Sequence, residues 1–443
     1  MSIPVQASAY WKSDGHGELT VGGLPVSIIA DRYGTPLYIY DRAVIERKLV
    51  ALRRALPARF SISYSVKANP NPTILKLLLE QGCGFEIASA GELHLALDSG
   101  CSAENIVFAG PGKTVPELEL AISRGVGEIH AESQLEIDRI SAISNEIEVR
   151  TRIAVRVNPN EGGQGGAMRM GGKPAPFGVD EENLPELLHR IENDPCLDFR
   201  GVHLFVGTQI LDHQLLLAQY EKAAAIARCV AKQMNAPLRT VNFGGGLGIP
   251  YFVGESELDL NGLREGLSRL MSEIENEDCF RRTVFMIEPG RFLVGEAGIY
   301  VARINDIKVS RGKKYLILDG GMNHHLAASG NLGPVIKRNF PMALLNKINA
   351  AVAEAVDVVG PLCTPLDTLG RSVELPSTEV GDLVGIFQSG AYARTASPLG
   401  FLSHPTPPEV LVEDGRDSLI RARGTKEDYL ADLASLDVRE LQR

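Results

Sequence analysis

The chain has little of several things, and each shortage removes a class of function. Its six cysteines (Cys83, Cys101, Cys196, Cys229, Cys279 and Cys363) form no C-x-x-C pair, which argues against structural zinc and a disulfide framework. Reduced thiols in a cytoplasm are the expectation. Basic residues are in deficit, with 45 Lys and Arg against 55 Asp and Glu and a net charge of -10, so no broad footprint for nucleic acid or anionic lipid is expected. No run of eighteen apolar residues occurs, and the opening MSIPVQASAYWKSDG lacks a basic region followed by an apolar stretch. Neither membrane spanning nor secretion is expected. Internal repeats and low-complexity tracts are absent from the sequence. What is present suits a folded core: 44% hydrophobic and 23% charged residues over a length of 443, enough for two or three domains of about 150 residues.

Between residues 60 and 295 short apolar runs alternate with stretches of helical period. Eight strands are predicted, at 61–66, 84–88, 105–109, 128–131, 150–157, 199–206, 239–243 and 284–288. Eight is the number that closes a parallel barrel, although an open doubly wound sheet shares the pattern. Leu, Ile and Ala recur at three- and four-residue intervals between the strands, and Gly82, Gly100 and Gly125 stand as helix stops. A further helix is predicted at 41–56. After residue 298 the texture becomes strand-like and cut by Gly, Pro and Asp, as in an antiparallel β domain, and the run 18–30 reads the same way. The expected organisation is a (β/α)8 barrel over 36–298, inserted between 1–35 and 299–443 of a β domain, with a surface helix over 424–443.

In such a barrel the chemistry sits at strand C-termini, and five ends carry suitable residues. Lys67 closes the first strand in YSVKANPN. A desolvated lysine there would have a lowered pKa and a free amine for an aldehyde, whereas a solvated strand-end lysine is the alternative. Gly244, Gly245 and Gly246 follow the seventh strand in NFGGGLG and would crowd backbone N–H groups around an anion, or simply make a tight turn. A dinucleotide fingerprint fails because Ile249 stands where the last glycine is needed. IEPGR ends the eighth strand with Glu288 and Arg291, either a carboxylate for a pyridine nitrogen with a fork for an anion, or an internal ion pair. GVHLFVGTQ places His203 and Phe205 on one strand face and Thr208 after Gly207, for ring stacking and phosphate contact, or as plain core. GFEIASAGEL offers Glu86, Ser89 and Glu92 to the barrel mouth or to the start of a helix.

Together these motifs specify a phosphate-bearing aldehyde cofactor. YSVKANPN, FEIASAGEL, HLFVGTQ, FGGGLG, EPGR, GPLCTPLD and QSGAYA run in the order found in fold-type III pyridoxal-phosphate decarboxylases, and the chain resembles that diaminopimelate and ornithine decarboxylase family over about residues 25 to 410. The resemblance implies an alanine-racemase-like barrel with a C-terminal β-sandwich or β-barrel domain, and pyridoxal 5'-phosphate as cofactor. It implies that Lys67 carries the cofactor, that Gly244 to Gly246, Thr208 and Tyr392 hold its phosphate, that His203 and Phe205 border its ring, and that Glu288 meets the pyridine nitrogen. Arg291 would meet phosphate or substrate carboxylate. Cys363 matches a family cysteine that a second subunit supplies as proton donor, so a homodimer with shared sites is implied. Asn323, Thr364 and Asp367 are the remaining substrate-side candidates.

Departures from the family bear on substrate. Where relatives stack a histidine on the ring this chain has Phe205. Where diaminopimelate decarboxylases carry an arginine and a tyrosine, it has Ala327 and Asn331, and Thr364 replaces the acid that usually follows the cysteine. Leaving a buried charge unpaired costs roughly 3–5 kcal/mol, so a substrate with a neutral distal end fits best. HHLAASGNLGPVIKRNFP and SGAYARTASPLGFLSHP resemble the exosortase-associated and glutamyl-carrier-protein decarboxylases, which implies glutamate delivered as a carrier thioester. Arg311, Lys313, Lys314, Lys337 and Arg338 are then candidates to dock an acidic carrier protein, or solvated loop charges. Diaminopimelate decarboxylation, racemisation and cofactor binding without turnover are the rival functions. His324 and His325, lacking a third ligand, are assigned to the pocket wall rather than to a metal.

Overall fold

Each of the eight predicted runs folds as a parallel strand: β1 (Phe60–Ser65), β2 (Gly84–Ile87), β3 (Ile106–Phe108), β4 (Glu128–Ala131), β5 (Thr151–Asn158), β6 (Leu197–Leu204), β7 (Thr240–Asn242) and β8 (Val284–Ile287). Every strand pairs with the next in sequence. Phe285, Met286 and Ile287 of β8 then pair with Phe60, Ser61 and Ile62 of β1, so the sheet closes and the open alternative is excluded. This computed structural model describes all residues except 1–3, 5, 6, 8, 161–167, 170–173, 206, 333–336 and 432–443, and only the backbone at Met168 and Arg169.

Helix starts between the strands are fixed by side-chain caps. Asn71, Ser89, Thr114, Ser133, Asp212 and Asp259 each accept from a first-turn amide, worth about 1 kcal/mol apiece. Gly82, Gly100 and Gly125 stop three helices at φ 76, 94 and 71, where a side chain would strain the turn. The longest helix, His213–Gln233, buries Leu216, Tyr220, Ala223, Ala227 and Val230 at helical spacing. Tyr220 stacks on Phe243 at 4.8 Å, and Phe243 reaches Phe60 and Phe285 at 5.7 Å each, which ties helix to barrel.

The chain divides into two compact units, Val44–Gly295 and Met1–Ala43 with Glu296–Arg443. The second is built round the 13-residue strand Gly298–Ser310, which pairs antiparallel with Lys313–Leu318, Leu383–Ile386 and Leu37–Asp41. Leu37–Asp41 therefore belongs to the β unit. Two pairings are parallel, Lys313–Leu318 with Glu354–Val359 and Leu37–Asp41 with Glu409–Glu413, so the sheet is mostly rather than wholly antiparallel. Trp11, Val26, Ile39, Val301, Phe387 and Val410 form its core.

The strand reading of 18–30 holds only for Leu19–Val21 and Leu24–Pro25. Val26–Tyr33 is a helix, because Val26, Ile29 and Ala30 at i, i+3 and i+4 bury one face and Pro25 precedes the first turn. At the other end the described part of the expected surface helix is Lys426–Leu430, opened by a Thr425–Asp428 capping box. No described helix is long and apolar enough to cross a membrane.

Candidate active site

Lys67 sits in the turn Val66–Ala68 directly after β1. Tyr64 donates to the Asn69 carbonyl (3.1 Å), Asn69 accepts from the Asn71 amide, and Asn71 caps the next helix, so the turn is pinned from both sides. The Lys67 ammonium lies 2.8 and 2.9 Å from the Glu86 carboxylate oxygens. Ser65, paired in register with Glu86, also donates to that carboxylate. The lysine is therefore not desolvated as the strand pattern suggests. Its side chain is 47% exposed while Glu86 is 2% exposed, because β1 ends before it and the turn lifts it from the strand. Ser89 and Glu92 start the next helix: Ser89 accepts from the Glu92 amide, and Glu92 accepts from the Ala88 amide. Burial, reinforced by Glu86, pushes the Glu92 carboxyl up against the pull of that amide and Lys67.

The three glycines after β7 form a cradle that any side chain would fill. A Cβ on Gly244 would meet the Leu204 carbonyl oxygen at 2.4 Å, on Gly245 the Glu288 carbonyl oxygen at 2.5 Å, and on Gly246 the Gly207 carbonyl oxygen at 2.8 Å. Gly244 and Gly246 also take φ of 69 and 105, so the turn needs glycine for conformation as well as space. Asn242 accepts from the Gly244 amide and donates to Glu288 Oε1 at 2.7 Å. Phe205 lies beside the cradle, its Cδ2 3.2 Å from where a Gly244 Cβ would stand, and Thr208 follows in a short strand paired with Met168. Arg291 donates to the Tyr251 hydroxyl at 2.8 Å.

Glu288 is buried among nitrogen groups. His203 Nε2 lies 3.2 Å from one of its oxygens without hydrogen-bond alignment, and His130 Nδ1 lies 3.9 Å from the other. The two imidazoles stack at 4.4 Å, and His130 Nε2 contacts Glu128, which accepts from Thr240. Burial alone would raise the Glu288 carboxyl, but His203, His130 and Lys67 outweigh it and hold the group well below the usual carboxylate range. Burial pushes His203 down, despite the opposing pull of Glu288. The arrangement is thus a buried anionic carboxylate with two imidazoles against it. Ligating atoms of His130, His203 and Glu288 lie within 4.8 Å of one another, a spacing that also suits a metal ion.

Sequence reading missed His130, Glu132, Arg156 and Asn242. Arg156 pairs with Glu132 at 2.7 Å, both buried, and its guanidinium lies 5.1 Å over Phe177 and 5.8 Å over Phe205. Glu132 further accepts from the Gly110 and Gly178 amides. The signal was available: polar residues end β4 in EIHAES and β5 in VRVNPN, the same criterion that selected Lys67 and Glu288.

In the β unit, Cys363 is an exposed free thiol on the loop before Thr368–Leu375. Asp367 is buried, and its two oxygens accept from the Met322 amide (2.6 Å) and the Leu362 amide (2.9 Å). Burial pushes its carboxyl up against the pull of those amides. Its carboxylate therefore braces the chain, packed against Gly321 and Gly360. Thr364 accepts from the Leu366 amide, Asn323 is fully buried beside His324, and Tyr392 takes a left-handed φ of 52. His324 and His325 are core residues rather than pocket wall. Tyr38 donates to the His324 carbonyl, His325 Nε2 contacts the Ser389 hydroxyl at 2.9 Å, and burial pushes the two rings down to about 4 and about 3.

A closed barrel with a lysine at one strand end, a glycine cradle at another and a buried carboxylate beside it suits a bound phosphorylated aldehyde. Residues 42–295 match the family described as pyridoxal-dependent decarboxylase, pyridoxal binding domain. The chain belongs to that family and is a pyridoxal-phosphate-dependent decarboxylase. It is 37% identical over 409 residues to the L-glutamyl-[BtrI acyl-carrier protein] decarboxylase of Niallia circulans, covering 92% of this chain and 95% of that one. Identity to the diaminopimelate decarboxylase of Methanothermobacter thermautotrophicus is 33% over 420 residues, covering 94% and 95%. A crystal structure of diaminopimelate decarboxylase from M. jannaschi superposes with a TM-score of 0.89 at 26% identity, covering 98% of this chain and all of that one.

Proposed function

We propose that the enzyme decarboxylates an amino-acyl group with a neutral distal end, and that this group is glutamate held as a thioester on a carrier protein. The observation that carries this reading is the state of the Cys363 loop. Thr364 follows the cysteine, and the acid of that loop, Asp367, is committed to two backbone amides. A substrate ammonium would find no free carboxylate there. Ala327 and Asn331 offer a distal carboxylate no cation of their own. The similarity to the glutamyl-carrier decarboxylase supports the same reading, while the diaminopimelate enzymes are the alternative.

The residues suit the cofactor. Pyridoxal phosphate supplies the electron sink that accepts the pair left by the departing carboxylate. We assign Lys67 to hold its aldehyde carbon, with Glu86 placed to orient the amine whenever substrate has displaced it. Gly244 to Gly246 and Thr208 would take the phosphate, and Phe205 would cover the ring and exclude water from one face. Glu288, held anionic by its nitrogen neighbours, would keep a proton on the pyridine nitrogen. Arg291 would orient the carboxylate or phosphate. Cys363 of the partner subunit would deliver the final proton, in a cytoplasmic homodimer whose two sites are shared.

The test is carbon dioxide release by the holoenzyme from diaminopimelate, lysine, ornithine, arginine, free glutamate and carrier-bound glutamate. Carrier-bound glutamate is expected to turn over fastest. Rapid release from free diaminopimelate would overturn the proposal.

A further inference from the structure

The β unit contains a cavity of about 300 Å³ whose walls include Ser329, Lys337, Arg338, Asn339, Thr368 and Arg371. Three cations and no carboxylate line it, in a chain whose net charge is -10. Among the described residues neither Lys337 nor Arg371 pairs with an acid. The volume lies at the small end for ligand pockets, of the order of 300–1,000 Å³. A compact anion with a short flexible extension is what such a cavity accepts.

The walls are built rather than incidental. The Asn339 side chain donates to the Arg371 carbonyl at 2.7 Å and accepts from the Arg371 amide at 3.0 Å, locking two segments together. Lys337 packs its stem against Gly330 and donates to Asn331 Oδ1 at 2.7 Å. Asn331 in turn donates to Ser329 Oγ and to the Leu366 carbonyl, on the loop that carries Cys363. Thr368 of the cavity wall stands five residues after Cys363, so a chain span of at most about 18 Å separates them. The anion site and the Cys363 loop are thus mechanically one piece.

We infer that this cavity binds the phosphate ester of a pantetheine arm, holding the thioester substrate by the end remote from its reacting carbon. Arg371 presents a forked donor to phosphate oxygens, and Lys337 adds a point charge. This inference rests on the thioester reading of the substrate and adds what recognises it: the phosphate, not the glutamyl side. The same phosphorylated arm occurs on carrier proteins and in coenzyme A, so both sources must be compared.

The experiment uses the holoenzyme. Calorimetric titration with 4'-phosphopantetheine and with pantetheine should give at least a tenfold preference for the phosphorylated probe, the size expected when charged hydrogen bonds are lost. Arg371→Gln and Lys337→Gln should each abolish most of that preference. Asn339 bonds only the Arg371 backbone, so Arg371→Gln leaves the wall intact. In kinetics, Arg371→Gln should raise KM for glutamyl-phosphopantetheine about tenfold at unchanged kcat, and move KM for glutamyl-pantetheine less than twofold. Glutamyl-coenzyme A and the glutamyl carrier protein, run side by side, identify the source: both should show the Arg371 effect if the phosphate alone is read. Equal binding of the two pantetheine probes, or a preference intact in both variants, overturns the site. A clear phosphate preference with no release of carbon dioxide from any glutamyl thioester overturns the proposed function while the site stands. Turnover of glutamyl-phosphopantetheine and glutamyl-pantetheine at the same KM overturns the site while the proposed function stands.

Discussion

Gly245→Ala puts the cradle to a stringent test. A Cβ at this position would stand 2.5 Å from the Glu288 carbonyl oxygen and 3.7 Å from Phe205 Cε2. The first is a backbone atom, so it cannot rotate away. Gly244 accepts from the Glu288 amide at 2.8 Å and Phe243 donates to the Met286 carbonyl at 2.9 Å, so relief must pull β7 from β8 where both carry site residues. Overpacking of this kind costs about 1–3 kcal/mol. If even 1.4 kcal/mol of that is expressed in the cofactor site, the Kd for pyridoxal phosphate rises about tenfold. Titration of the apoenzyme with pyridoxal phosphate, followed by absorbance, measures the affinity, and urea unfolding of the apoenzyme measures the strain. Gly400→Ala, where a Cβ meets nothing within 4 Å, is the control and should alter neither. Cofactor affinity within twofold of wild type in Gly245→Ala would refute the reading of the triplet as a phosphate cradle.

Lys67→Ala should lose both turnover and the absorbance of the lysine-bound cofactor, and unchanged absorbance would remove Lys67 from its assigned role. Lys113 is 2% exposed and bonds Glu136 at 2.6 Å with the Gly110 and His130 carbonyls; Lys113→Ala should cost about 3–5 kcal/mol in urea unfolding, and Lys113→Met with Glu136→Gln should recover much of it. His325 is held neutral by burial, with its pKa pushed down to about 3. Because the unfolded chain protonates first, at about pH 6.5, stability falls as pH drops from there towards 3, with a slope of up to about 1.4 kcal/mol per pH unit from this group. His325→Gln should flatten the difference in urea midpoint between pH 7 and pH 4.5, and an unaltered difference would show that the ring is not the acid-sensitive group.

The barrel was legible because each strand is a short apolar run bounded by a cap or a glycine, and those signals are local. Boundaries moved by a residue or two. Val26–Tyr33 was misread because Val and Ile carry β propensity, and the three-residue spacing of Val26 and Ile29 decides only once a core lies beneath them. Lys67, Glu288 and the glycine triplet stand out because nothing in a strand end requires them for packing. Arg156 and Glu132 are less visible: they satisfy each other in the folded chain, and only the closing of β4 on β5 brings them together. Asp367 shows the opposite error. An acid four residues after Cys363 resembles a substrate contact, yet the chain turns it inward to hold Met322 and Leu362.

The central claim is that the distal end of the substrate is neutral, and the ratio of kcat/KM for glutamyl-carrier thioester to that for free diaminopimelate tests it most directly. An unpaired buried charge at roughly 3–5 kcal/mol predicts a ratio of at least about 100 in favour of the thioester. A ratio near one, or in favour of diaminopimelate, would contradict the account.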